Sequence, residues 1–171
     1  DTKFSPEKIG KSAAEKAVAS IGPKRGESFV GKVILDPDPA ATILFNTVVQ
    51  SVNADNVQRK RSVWTDKIGE KVAVNGLNAT DDGLLSRGIG SSSFDAEGVP
   101  HQKTQIITRG VLKGFLHNSF TANKEKKKST GNASRDNYNM VPTVFVSNLV
   151  IEPGKKKLDD IVSEVEKGII V

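Results

Sequence analysis

The order of hydrophobic and polar positions divides this chain into short helices, strands and glycine-bearing turns. After Ser5-Pro6, apolar side chains recur at Ala13, Ala14, Ala17, Val18 and Ile21. That spacing predicts a helix with Ser5 as N-cap and Pro6 in the first turn, closed by Gly22-Pro23. Phe29 to Leu35 reads as a strand with Val33, Ile34 and Leu35 buried. Asp36-Pro-Asp-Pro39 reads as a turn. Ile43, Leu44, Thr47, Val48, Ser51 and Val52 then fall on one face of an amphipathic helix predicted from Ala40 to about Val57.

Gly69 to Leu85 reads as short strands and turns around Lys71–Val74, Asn75-Gly76 and Asp81-Asp-Gly83. Arg87–Ser93 reads as a flexible loop. Thr104–Thr108 and Val111–His117 alternate as a hairpin across Arg109-Gly110. A short helix or loop is expected over Asn118–Lys128. A polar Gly/Asn/Ser segment over Ser129–Val141 reads as mobile or site-forming. Thr143–Ile151 reads as one strand. Leu158, Ile161, Val162 and Val165 line a last helix, with Gly168 as its cap. Helix and strand alternate early and hairpins follow, so the expected fold is α+β. A mixed, mainly antiparallel sheet with hairpins and flanking helices fits better than a βαβ series.

Length changes this picture little: 171 residues can bury one core. The chain begins at Asp1, its only methionine is Met140, and it stops on the apolar run Gly168–Val171, which reads as the start of a buried strand. The expectation is a fragment, with residues 1–30 forming a helix and linker at the end of a preceding domain. No stretch is long and apolar enough to suggest a membrane span. The absence of cysteine excludes disulfides and thiol nucleophiles and fits a reducing cytoplasm. The net charge of +5 raises nucleic acid as a partner. The basic residues, however, form short runs at Arg59–Arg61, Lys124–Lys128 and Lys155–Lys157, two of them diluted by acids, which a solvated surface explains more readily.

Candidate chemistry is sparse. Two histidines, His101 and His117, match no zinc spacing. Gly88-Ile-Gly90 and Gly10-Lys-Ser12 lack the glycine spacing of phosphate loops. Serines 91–93 and Ser129 lie in loops without a nucleophile elbow. The turn Asp95-Ala-Glu97-Gly98 can bond its own backbone or bind a peptide or partner. The loop Ser129-Thr130-Gly131-Asn132, with Arg135, is the better binding candidate because such loops collect binding groups.

The run from Phe94 to Ala122, the loop at Ser129–Ala133, and Ser147-Asn-Leu-Val-Ile-Glu-Pro-Gly154 together resemble the signature of the TldD/PmbA family, also called modulators of DNA gyrase. The resemblance implies peptidase complexes in which one subunit bears zinc on His-Glu-x-x-x-His. Residues 31–171 would then be the central part of a TldD/PmbA-like C-terminal domain, truncated after 171. At the place of the zinc motif stand Asn46, Thr47 and Ser51 in one register, or Phe45, Asn46 and Gln50 in the other. Neither keeps a histidine or a carboxylate. The resemblance therefore implies a TldE/PmbA-type subunit without catalytic or metal residues of its own, with zinc on a TldD-like paralogue in a heterodimer. The substrate would be a peptide or unfolded segment. Two rivals stand beside it: a basic nucleic-acid-associated module, and a stand-alone hydrolase with an unrecognised site.

Overall fold

The computed structural model describes residues 5–171; the expectation attached to the Asp1 start lies outside them. Helix α1 spans Pro6–Ala19, with Ser5 Oγ accepting from the Lys8 N–H as its N-cap. It buries no residue, so its apolar stripe is unpartnered among the described residues.

The core is built elsewhere. Helix α2 (Pro37–Val52) starts at the first proline of the expected turn, because proline fits an early helical position where its missing N–H costs nothing. It stops at Asn53, whose extended backbone breaks the expected run to Val57. The Asn53 side chain then caps a separate helix α3, Ala54–Gln58. Val48, Val49 and Val52 pack from α2 onto Trp64, Ala79, Ile106, Ile107, Leu112, Phe115 and Leu116.

Those last residues belong to or adjoin a four-stranded antiparallel sheet. Its strands are β2 (Ala79–Asp82), β3 (Lys103–Thr108), β4 (Val111–Leu112) and β7 (Leu149–Ile151), in the order β4-β3-β2-β7. The hairpin turn between β3 and β4 places both Arg109 and Gly110 at positive φ, as a two-residue turn of the twist-matching kind requires. Helix α4 (Ser119–Lys124) is capped by the Asn118 side chain. Strands β5 (Ala133–Ser134) and β6 (Thr143–Val144) form a two-stranded ribbon. Strand β1 (Lys32–Ile34) pairs in parallel with β8 (Gly168–Ile170), which follows helix α5 (Leu158–Ser163). The architecture is the expected mixed, mainly antiparallel α+β fold.

Several local expectations are corrected. Phe29–Leu35 yields three strand residues, and Val33 is 57% exposed, because β1 has only β8 beside it among the described elements. Ile169, Ile170 and Val171 are exposed for the same reason. Gly168 does not cap α5; it opens β8, where a side chain would strike the Lys32 carbonyl. The segment Thr143–Ile151 divides into β6 and β7, which join different sheets. Lys71 makes one isolated bridge to Val111 instead of starting a strand, and the Val111–His117 strand ends at Leu112. Asp81 and Asp82, read as a turn, lie in the central strand β2.

Candidate functional site

Two places collect the sequence candidates. The first is the junction where the turn at 95–99 meets the loop at 129–134. Asp95 is buried, and its carboxylate accepts from the N–H groups of Glu97, Val99 and Ala133 at 2.9–3.0 Å. It forms the turn and ties it to the loop at once. Gly98 follows at φ +79°, which the turn requires. Glu97 reaches across to accept from the Ser119 N–H at 2.8 Å.

The loop is wired as closely. Ser129 Oγ donates to the His117 carbonyl and accepts from the Gly131 N–H. Thr130 Oγ1 accepts from the His117 N–H at 2.7 Å. Its one proton has two acceptors in reach, Asn132 Oδ1 at 2.7 Å and the His117 carbonyl at 3.0 Å. Gly131 sits at φ +69° with the Pro100 carbonyl against it, so no side chain fits there. Asn132 is buried and donates to Asp81 Oδ2 at 2.6 Å and to the Phe145 carbonyl at 3.1 Å. Ser129–Ala133 is therefore held by its own polar groups. Arg135 stands apart, exposed, with a long contact to the Tyr138 carbonyl as its one polar partner among the described residues.

The centre of this network is Asp81, which sequence reading passed over. It is 1% exposed. Its carboxylate accepts from Asn132 and from the Ser147 N–H at 2.7 Å, and burial still raises its pKa above the ordinary carboxylate value. Nothing in a single sequence distinguishes it from the neighbouring Asp82, because strand register alone turns one carboxylate inward.

Beside it a cavity of about 160 Å³ is lined by His101, Asn132, Phe145 and Ser147, among others. Ser147 Oγ lies 3.3 Å from His101 Nδ1. The Asp81 carboxylate faces the serine and not the imidazole, so the third group that would orient a general base is on the wrong partner.

His117 is 3% exposed, and burial lowers its pKa; Glu125 nearby opposes that shift. Its Nδ1 and the Gln58 Oε1 are buried without partners among the described residues.

The second place is the groove between α2 and β7, about 910 Å³, walled by Pro37, Ala40, Leu44, Phe45, Leu149 and Ile151 among others. Asn148 and Glu152 turn their main-chain groups toward β2, so the groups of Leu149 and Ile151 point to the opposite, open edge. The candidate positions of the zinc motif meet this groove unequally. Phe45 and Asn46 line it; Phe45 packs edge-to-face on Phe145 at 6.0 Å, and Asn46 donates to the Thr42 carbonyl. Gln50 is exposed and accepts from Asn56. Ser51 is buried and donates back to the Thr47 carbonyl. The register Phe45, Asn46 and Gln50 thus faces outward, whereas Asn46, Thr47 and Ser51 would send its last position into the core. Neither set fits zinc, which needs imidazole, thiolate or carboxylate donors. Among the described residues no three His, Asp or Glu side chains gather to hold a metal.

Comparison with known proteins agrees with this architecture. The family model of the PmbA/TldA metallopeptidase C-terminal domain matches residues 29–171. An uncharacterised protein of Methanocaldococcus jannaschii is 40% identical over 92% of this chain and 37% of its own length. A metalloprotease TldD homologue of Buchnera aphidicola is 33% identical over 93% of the chain and 33% of its own. The crystal structure of TldE from Thermococcus kodakarensis superposes with a TM-score of 0.88 at 26% identity, over all of this chain and 39% of that one. The chain spans about a third of the length of the curated relatives it matches. Proteins named TldD and TldE are thus both similar to it, and the chain belongs to the PmbA/TldD metallopeptidase family.

Proposed function

We propose that this chain is part of a TldE/PmbA-type subunit, which carries no zinc and works in a heterodimer with a TldD-like, zinc-bearing paralogue to cleave peptides or unfolded segments. The observation that carries the reading is the groove-facing side of α2. Its side chains at the place of the zinc motif are Phe45 and Asn46, with Gln50 one turn on, and none offers the imidazole, thiolate or carboxylate that zinc and a general base need. Phe45 and Asn46 are occupied by contacts to Phe145 and Thr42.

The part assigned to this chain is one wall of a substrate channel. An extended peptide uses main-chain hydrogen bonds that tolerate many sequences, and the open edge of β7 beside an apolar helix face offers both halves of such a site. The hairpin over Thr104–His117 and the wired junction of Asp95, Glu97, Gly98, Ser129, Thr130, Gly131 and Asn132 hold that wall in shape; exposed Arg135 is the member free to meet a peptide or partner. A cytoplasmic setting is part of the proposal and is supported by the lack of cysteine.

The test is cleavage of an unstructured peptide by the full-length protein, alone and mixed with the His-Glu-x-x-x-His paralogue of the same genome, with and without chelator. Chelator-sensitive cleavage in the mixture only is the expected result. Cleavage by this protein alone would overturn the reading. The Ser147–His101 contact is where a metal-free hydrolase would then be sought.

A further inference from the structure

Two of the basic runs that look unrelated in sequence are neighbours in space. Gln58 closes α3, and its Nε2 donates to the Thr121 carbonyl at 2.8 Å and to Glu125 Oε1 at 2.9 Å, which clamps the end of α3 against the end of α4. Arg59-Lys60-Arg61 leaves one helix and Lys124–Lys128 the other, so both runs emerge side by side. Their local acids are already used: Asp55 pairs with Arg59 at 2.8 Å and Glu125 with Lys127 at 2.7 Å. Lys60, Arg61, Lys124, Lys126 and Lys128 are exposed and carry no ion pair among the described residues. Lys60 and Lys126 each occupy the left-handed position just past a helix end, at φ 56° and 53°, where glycine is the residue with least strain.

Next to these cations lies a groove of about 280 Å³ with apolar walls from Phe120, Val141 and Pro142, and with the mutually paired Asp55 and Arg59 also on its lining. Phe120 is exposed, and the Lys124 ammonium sits 4.2 Å from its ring centroid.

We infer that this surface docks an acidic polypeptide segment in which carboxylates alternate with apolar side chains. Charge complementarity selects the acid, and the groove selects the apolar positions. A nucleic acid fits less well. The Phe120 ring beside the groove already has a lysine over a face, which leaves less of it for a base to stack on. The inference does not rest on the zinc-less reading, since it concerns binding on another face and holds for either kind of subunit.

The test uses the full-length protein and fluorescence anisotropy with three labelled probes: a peptide of alternating Glu and Leu, its Lys/Leu counterpart, and a 20-mer of thymidylate. The Glu/Leu peptide should bind, weaken with salt, and lose about three- to tenfold in affinity in the Lys60→Gly/Lys126→Gly variant. That variant removes two charges while relieving backbone strain, so a loss of binding cannot be ascribed to unfolding. Arg61→Glu/Lys128→Glu should abolish binding. The inference fails if the Glu/Leu peptide does not bind, if the Lys/Leu peptide binds as well, or if both variants leave binding unchanged. Tighter binding of the thymidylate probe, lost in the same variants, would assign the surface to nucleic acid instead.

Discussion

Asn132→Ala should be among the most damaging single changes in the loop, and its cost should depend on pH. Asn132 donates 2.6 Å to a carboxylate that is 1% exposed, and 3.1 Å to the Phe145 carbonyl, while its own oxygen is in reach of Thr130. A hydrogen bond to a buried charged group is worth about 1.5–3 kcal/mol, and a neutral one about 1 kcal/mol. Loss of both places the expected destabilisation at about 2.5–4 kcal/mol at neutral pH. The sign of the pH dependence follows from Asp81. Burial raises its folded pKa above the ordinary value, and the Asn132 bond partly lowers it again. Without that bond the folded pKa rises further. A group with a raised folded pKa contributes stability below its unfolded pKa of about 3.9 and loses it as pH rises through the folded pKa. The deficit of Asn132→Ala relative to the parent should therefore be smallest near pH 4 and grow toward pH 7. Urea unfolding followed by circular dichroism and by the fluorescence of Trp64, a core residue, measures both quantities. Asp81→Asn is the control: it lacks the charge, so its own stability deficit should not show this titration. A loss under about 1 kcal/mol, or a deficit independent of pH, would refute the assignment of Asp81 as a buried charge held by Asn132.

Gly131→Ala should cost more than 2 kcal/mol, because the residue sits at φ +69° and the new Cβ would lie 2.5 Å from the Pro100 carbonyl; a thermal melt unchanged from the parent would contradict that packing. His117 should make the fold acid-sensitive. Its folded pKa is lowered by burial, so the stability it contributes is present above its unfolded pKa of about 6.5 and is lost as pH falls through the folded value. Between pH 7.5 and 5.5 the urea midpoint of the parent should fall more than that of His117→Phe; equal falls would mean the imidazole titrates normally.

Local signals are what the sequence alone determined. The N-cap at Ser5, the helix carrying Val48 and Val52, and the hairpin turn at Arg109-Gly110 are decided by a few adjacent residues, and they were legible as such. So was family membership, which rests on runs of contiguous residues. The two candidate registers on α2 differ by one residue in the sequence, and only the helix face tells them apart, since Ser51 is buried and Gln50 exposed. Partnership across the chain needed the tertiary structure. Val33-Ile34-Leu35 looks like a buried strand by composition, but burial depends on neighbours, and among the described elements β1 has only β8. Asp81 and Asp82 are alike as letters; pairing of β2 between β3 and β7 turns the first toward Asn132, 51 residues away, and leaves the second beside Lys103. The two lysine-bearing runs read as ordinary solvated charge until Gln58 brings their helix ends together. Short-range propensity acts through bonded neighbours and survives in a linear reading. Desolvation and charge proximity act through space, and only the folded chain sets those distances.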